Sequence, residues 1–408
     1  MMDDGQREQA VDREESFVPT AKENGPNAGR PRDGGIIDPA RQEKAREYSR
    51  IKHKLFAVDL GLSALVPVLW LVTGLSVSVR DQLPFALPVQ VALYVLVFGG
   101  SLALVFAPLT FYSGFVLPHR YGLSTQSLRA WLWDGIKGGL LSGVFGLAIV
   151  EIIYFLLSAF PTTWWLFAAT VMLFFTVVLA NLTPVLILPL FYKLTPLQDE
   201  QLVARLMKLA ERAHTKVRGV YTMDLSSKGT AANAALTGLG NTRCVVLGDT
   251  LLDKYSHDEI EAVLAHELGH HVHHDIAKGI VVQIVLTTAS FYLASVGLFF
   301  AVDRLGFHGV ADIAAFPVFI LVTGAFMFLT MPISNAYSRW VENAADEYAL
   351  TSTGRGDAFI SMMAKLGDQN LAEAQPATWV EILLYDHPPV AKRIAHAERH
   401  LHLARPAA

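Results

Sequence analysis

The chain has 408 residues, 52% of them hydrophobic and 17% charged, with a mean hydropathy of +0.36, a balance weighted towards membrane rather than ordinary soluble proteins. The formal net charge of -4 is small for this length, and no long basic run interleaved with aromatics occurs, which points away from nucleic acid as a partner. A single cysteine, Cys244, excludes an intramolecular disulfide and a Cys-rich zinc site, so any metal must use His and carboxylates.

In chain order, residues 1–50 are rich in Asp, Glu, Arg, Gly and Pro and are expected to form a disordered charged tail, helical only near residues 42–54. The tail lacks the basic start and early apolar core of a signal peptide, so the first hydrophobic segment is expected to stay as an anchor. Apolar stretches follow at 55–79, 88–117, 138–160, 164–190, 279–302 and 315–332, each near the ~20 residues that a bilayer core demands. This predicts six spans. The pairs Trp131/Trp133 and Trp164/Trp165 fall at span edges, as interfacial aromatics do.

Arg41, Lys44, Arg46, Arg50, Lys52 and Lys54 precede the first span, and Arg120, Arg129 and Lys137 lie between the second and third. The alternate loops carry little beyond Arg80 and Arg304, so both termini and the polar segment 193–278 are expected on the cytoplasmic side. Within that segment 199–215 reads as an amphipathic helix, 219–223 and 242–247 as strands, and 256–275 as a helix. Cys244, in an apolar run, reads as a buried small hydrophobe. The predicted organisation is a charged tail (1–50), four spans (51–192), an inserted α+β domain (193–278), two spans (279–333) and a helical C-terminal part (334–408).

The insert carries Ala265-His266-Glu267-Leu268-Gly269-His270. Two imidazoles four residues apart lie about 40° apart around a helix and can reach one ion from the same face. Two neutral His ligands plus a carboxylate suit zinc and leave a position for water, from which the adjacent glutamate can take a proton. Ser256 can cap this helix, with Asp258 and Glu259 in its first turn. His271, His273 and His274 read as solvated polar residues rather than as a second metal site. A third ligand is sought in Ser338-Arg339-Trp340-Val341-Glu342-Asn343-Ala344-Ala345-Asp346, where Glu342 is the strongest candidate. Glu342 and Asp346 are again four apart, so one can bind the ion while the other orients an imidazole; an exposed acidic helix is the plain alternative.

This combination resembles the type I CAAX prenyl endopeptidase family, membrane gluzincins that cleave after a prenylated cysteine in eukaryotes and have many bacterial relatives. The resemblance runs from about residue 50 to the end. It rests on Tyr121-Gly122-Leu123-Ser124-Thr125-Gln126-Ser127-Leu128, Pro189-Leu190-Phe191-Tyr192-Lys193-Leu194-Thr195-Pro196-Leu197, Asn233-Ala234, the His266–His270 motif, Glu342 with Ala345-Asp346, and His387-Pro388-Pro389 with Arg393. It implies one zinc ion per chain on His266, His270 and Glu342, Glu267 as general base, and Asp346 orienting a ligand. It also implies that Asn233 and Ala234 hold substrate by strand addition, though from the residues alone 230–238 reads as a turn-flanked strand. His387 is implied as a catalytic residue facing the substrate carbonyl, and Arg393 as a substrate-binding one. The eukaryotic members have seven spans enclosing a water-filled chamber; here the first is replaced by the charged tail.

The expected fold is therefore a mainly α, multi-pass membrane bundle of six spans with an inserted zincin-like α+β metalloprotease domain. The expected substrates are peptides or proteins that are prenylated, CAAX-type, or otherwise membrane-associated, in the inner membrane of a bacterium or the endoplasmic reticulum of a eukaryote. The alternatives are quality control of membrane proteins, as in the related HtpX-like enzymes, and a non-catalytic membrane scaffold or transporter.

Overall fold

Helix formation starts at Asp38, whose side chain accepts a hydrogen bond from the Ala40 amide (2.9 Å) just before a proline, so α1 (Pro39–Val72) has a capped, proline-primed first turn. The computed structural model describes residues 37–238 and 240–404, and the expected tail over residues 1–36 lies outside them. Residues 39–50 open a 34-residue helix, which takes in the stretch from 42 expected to be helical at the end of the tail. Their polar groups are docked: Arg41 Nη2 donates to the Asp368 carbonyl (2.6 Å), Gln42 Nε2 to the Ala372 carbonyl (3.2 Å), and the Ala374 amide to Gln42 Oε1 (3.0 Å). Composition records the charge of this segment but not its partners more than 300 residues away.

The first span ends earlier than its apolar run, because Gly74 (φ 71°) turns left-handed and starts the short α2 (Leu75–Asp81). Next, α3 (Leu87–Phe111) passes through a π-helical turn, Tyr112–Val116, into α4 (Leu117–Arg120). The next spans are α5 (Leu128–Ala159) and α6 (Trp164–Leu182), the latter continuing through a second π-helical turn, Thr183–Ile187, into α7 (Leu188–Phe191).

The insert comprises β1 (Leu194–Pro196), α8 (Glu200–Arg212), β2 (Val220–Met223), β3 (Ala234–Thr237), β4 (Cys244–Gly248), α9 (Asp249–Leu252) and α10 (His257–Val272). The strands pair in the order β1-β2-β4-β3, antiparallel except for β2 with β4. Strand β4 is buried along its length, as its continuous apolar run requires, and it carries β3 on one side in a register that sets Ala235 opposite Val246. Among the described residues the other side of β3 is therefore a free sheet edge.

The chain then returns to the membrane as α11 (Asp275–Leu305) and α12 (Phe316–Thr353), and closes with α13 (Gly356–Gln369), α14 (Thr378–Leu384) and α15 (Val390–Ala404). Among the described residues six helical segments are long and apolar enough to cross a bilayer: 39–72, 87–120, 128–159, 164–191, 275–305 and 313–353. The last continues well beyond its apolar part, and its C-terminal half joins the insert.

Two apolar cores hold the ends of the bundle. One joins the insert to the C-terminal helices through Leu206, Leu247, Leu264, Leu350 and Phe359. The other seals the far end with Trp70, Tyr94, Phe98, Trp164 and Phe316. Trp164, expected at an interface, is fully buried there, its Nε1 donating to Ser295 Oγ (3.2 Å). Between these cores no residue is buried in 50–65, 99–116, 127–152, 170–183, 270–289 or 318–340, so the middles of the six spans are loosely packed against one another.

Candidate metal centre

Helix α10 starts where the sequence predicts. The Glu259 amide donates to Ser256 Oγ (3.3 Å) and the Ser256 amide to Glu259 Oε2 (2.7 Å), a reciprocal capping box. Ala262, Leu264, Ala265 and Leu268 are buried in the core, while His266 and Glu267 line a cavity of about 400 Å³ and His270 faces Glu342 on α12. The two helices cross closely at Gly269: a Cβ there would lie 3.0 Å from Ala345 Cα and 3.2 Å from its carbonyl oxygen.

This crossing sets Glu342, on α12, against both imidazoles. Glu342 Oε2 is 3.2 Å from His266 Nε2 and Glu342 Oε1 is 3.4 Å from His270 Nε2. One donor atom from each of the three residues lies within 4.8 Å of the others. Ligands at about 2.0–2.1 Å from a tetrahedral zinc ion stand about 3.3 Å apart, close to the two His–Glu separations, each of which runs to a different oxygen of the carboxylate. Glu342 Oε2 is buried, with His266 Nε2 at 3.2 Å and the Arg393 guanidinium at 3.7 Å as its neighbours, so the carboxylate is held charged and turned to the imidazoles. This donor set, two imidazoles and a carboxylate, fits a zinc ion.

Surrounding groups hold the imidazoles. Asp346 Oδ1 lies 2.9 Å from His266 Nδ1, which favours the Nδ1–H tautomer and frees Nε2. Arg393 fixes Asp346 in turn, through Nε to Oδ2 (2.8 Å) and Nη2 to Oδ1 (2.5 Å). Burial opposes charge on His266, but hydrogen bonds to Asp346 and Glu342 overcome it and push its pKa up to about 9. His387 Nε2 is 3.2 Å from Glu342 Oε1, and its Nδ1 is 2.9 Å from Asp386 Oδ1. The hydrogen bonds to Asp386 and Glu342 push the His387 pKa up to about 10.

Every residue singled out in the sequence meets at this place. Glu267, His387 and Arg393 line the cavity together with Asn233 and Ala234, which bring the start of β3 along its side. Arg393 is more committed than a substrate-binding role requires, with its side chain 11% exposed and paired with Asp346.

Three participants were missed. Asn370 clamps the approach to β3, accepting from the Ala232 amide (2.9 Å) and donating to its carbonyl (3.2 Å). Asp386, whose Oδ1 lies 2.9 Å from His387 Nδ1, was legible only as its chain neighbour. Asp275 Oδ2 lies 3.2 Å from His270 Nδ1, five residues beyond that histidine, a spacing that matches no helical face.

The model of peptidase family M48 matches residues 196–401, and that of the CAAX prenyl protease N-terminal region, described as five membrane helices, matches residues 30–193. In that second stretch the described residues hold four long apolar helices and the short α2. The chain is 31% identical over 372 residues to the metalloprotease YhfN of Bacillus subtilis, covering 89% of this chain and 87% of that protein. It is 30% identical over 394 residues to CAAX prenyl protease 1 of Saccharomyces cerevisiae, covering 88% and 86%. The crystal structure of S. mikatae Ste24p superposes with a TM-score of 0.79 at 24% identity, over 89% of this chain and 90% of that one, a likeness of fold.

Proposed function

The chain belongs to peptidase family M48 and is a membrane metallopeptidase; from that premise we propose that it hydrolyses peptide bonds at one zinc ion held by His266, His270 and Glu342. The observation that carries this reading is the meeting of these three donors beside a cavity that His266 and Glu267 line and β3 edges. Bound there, the ion would supply Lewis acidity to the scissile carbonyl and to the attacking water.

The protein's own residues do the rest. A substrate strand adds to the free edge of β3 near Asn233 and Ala234, which sets its backbone across α10. Glu267 accepts the proton that water loses as its oxygen bonds to the carbonyl carbon, and delivers that proton to the departing amine nitrogen. His387, kept protonated by Asp386, donates to the oxygen that gains charge. Arg393 and Asp346 hold His266 in the tautomer that the metal requires.

The site lies where α1 begins with Arg41, Lys44, Arg46 and Arg50, and we assign that end to the cytoplasm. The substrates we propose are peptides or proteins at the membrane surface, with C-terminal CAAX-type prenylated chains first among them, since prenyl proteases span nearly the whole chain in comparison. Full-length protein in detergent should cleave a farnesylated peptide; Glu267→Gln should keep zinc and lose cleavage, and His266→Ala should lose both. Wild-type activity in either variant overturns the mechanism, and cleavage of unlipidated membrane proteins alone transfers the substrate reading to quality control.

A further inference from the structure

Resting on the reading of His266, His270 and Glu342 as metal ligands, we propose that Asp275 is the positioning residue for His270, tying this ligand to the first residue of the fifth membrane span. His266 already has such a carboxylate in Asp346, contributed by α12. His270 lies one turn further along α10 and points Nδ1 the other way, to Asp275 Oδ2 at 3.2 Å. The Asp275 side chain is 8% exposed, and its other oxygen faces Lys278 Nζ at 3.4 Å. The Lys278 ammonium stands 5.7 Å from the centre of the Trp340 ring, on α12 two residues before Glu342. The contact depends on an unusual backbone. Helix α10 does not run on into α11; His274 breaks it with φ 57° and ψ 34°, a left-handed conformation that costs a residue with a side chain free energy. That single reversal swings the start of α11 back over the end of α10. The Nδ1–H···carboxylate contact selects the tautomer with Nε2 free and turned to Glu342, as Asp346 does for His266.

The test is zinc affinity, measured by chelator competition on full-length protein in detergent, beside the melting temperature of the metal-free protein. Asp275→Ala should weaken zinc binding by about 10- to 100-fold, the usual effect of removing such a partner. Asp275→Asn, which keeps an acceptor but no charge, should lose less. The metal-free melting temperature should stay within ~2 °C of wild type, a readout that a merely structural role would move. Unchanged affinity in Asp275→Ala, or a loss matched by an equal fall in metal-free stability, overturns this proposal alone. A wild type that takes up no zinc, or a His270→Ala variant that binds it as tightly as wild type, overturns it together with the ligand assignment.

Discussion

Gly269→Ala separates two effects of opposite sign. On an isolated helix the substitution is favourable by up to ~1 kcal/mol, because alanine loses less backbone entropy than glycine. Here the new methyl would stand 3.0 Å from Ala345 Cα, 3.2 Å from its carbonyl oxygen and 3.2 Å from Tyr348 Cβ, where ordinary contact begins at 3.4 Å. All three atoms belong to the α12 backbone or its first side-chain carbon, so no flexible end can yield and the helices must part by about 0.4 Å. Glu342 rides on α12 less than a turn from Ala345, so its separations of 3.2 and 3.4 Å from the imidazoles would grow towards about 3.6–3.8 Å, beyond the edge of about 3.3 Å that zinc requires. Overpacking costs about 1–3 kcal/mol, which outweighs the helix gain and leaves a net loss of roughly 1–2 kcal/mol. If that loss falls on the metal-binding geometry, zinc affinity drops about 5- to 30-fold. Chelator competition on the detergent-solubilised chain reads this directly. Affinity within twofold of wild type, with an unchanged or raised melting temperature, would refute the claim that the α10–α12 approach sets the metal site.

Zinc uptake should depend on pH with a definite sign: a His266 pKa of about 9 means that the metal-free site is protonated below that value and must lose the proton to bind. Apparent affinity should rise by up to about tenfold per pH unit from pH 6 and level off near 9, and a flat titration would contradict it. At the opposite end of the bundle Arg80 Nη1 pairs with Asp312, whose side chain is 2% exposed. Asp312→Ala should lower stability by up to ~3 kcal/mol, with Asp81 retaining part of the pairing, whereas an Arg80→Met/Asp312→Leu double variant should lose less; thermal melts of the three proteins decide it. A fragment of residues 193–278 should bind zinc poorly because it lacks Glu342, and stoichiometric high-affinity uptake would show that the membrane helices are dispensable for the site.

Residues near one another in the chain were legible because local physics determines their arrangement. Six apolar stretches of bilayer length, the cap at Ser256, and the placing of His266 and His270 on one helical face follow from hydropathy and a period of 3.6 residues. Strand β4 declared itself through its apolar run, while β1 was too short and β3 too plain to be distinguished as a sheet edge. What only the tertiary structure decided depends on groups far apart in sequence. The helix near 42–54 was legible, but its docking was not, because its partners near Asp368 and Ala374 lie over 300 positions away. Trp164 read as interfacial because nothing nearby reveals its burial against Ser295. Glu342 is 72 residues beyond His270, across two membrane spans, and only the close approach of α10 and α12 at Gly269 brings its carboxylate to the imidazoles. The same holds for Asp275, whose contact with His270 depends on one left-handed residue. A sequence pattern names the groups that can hold a metal, but their distances are set by how the helices cross.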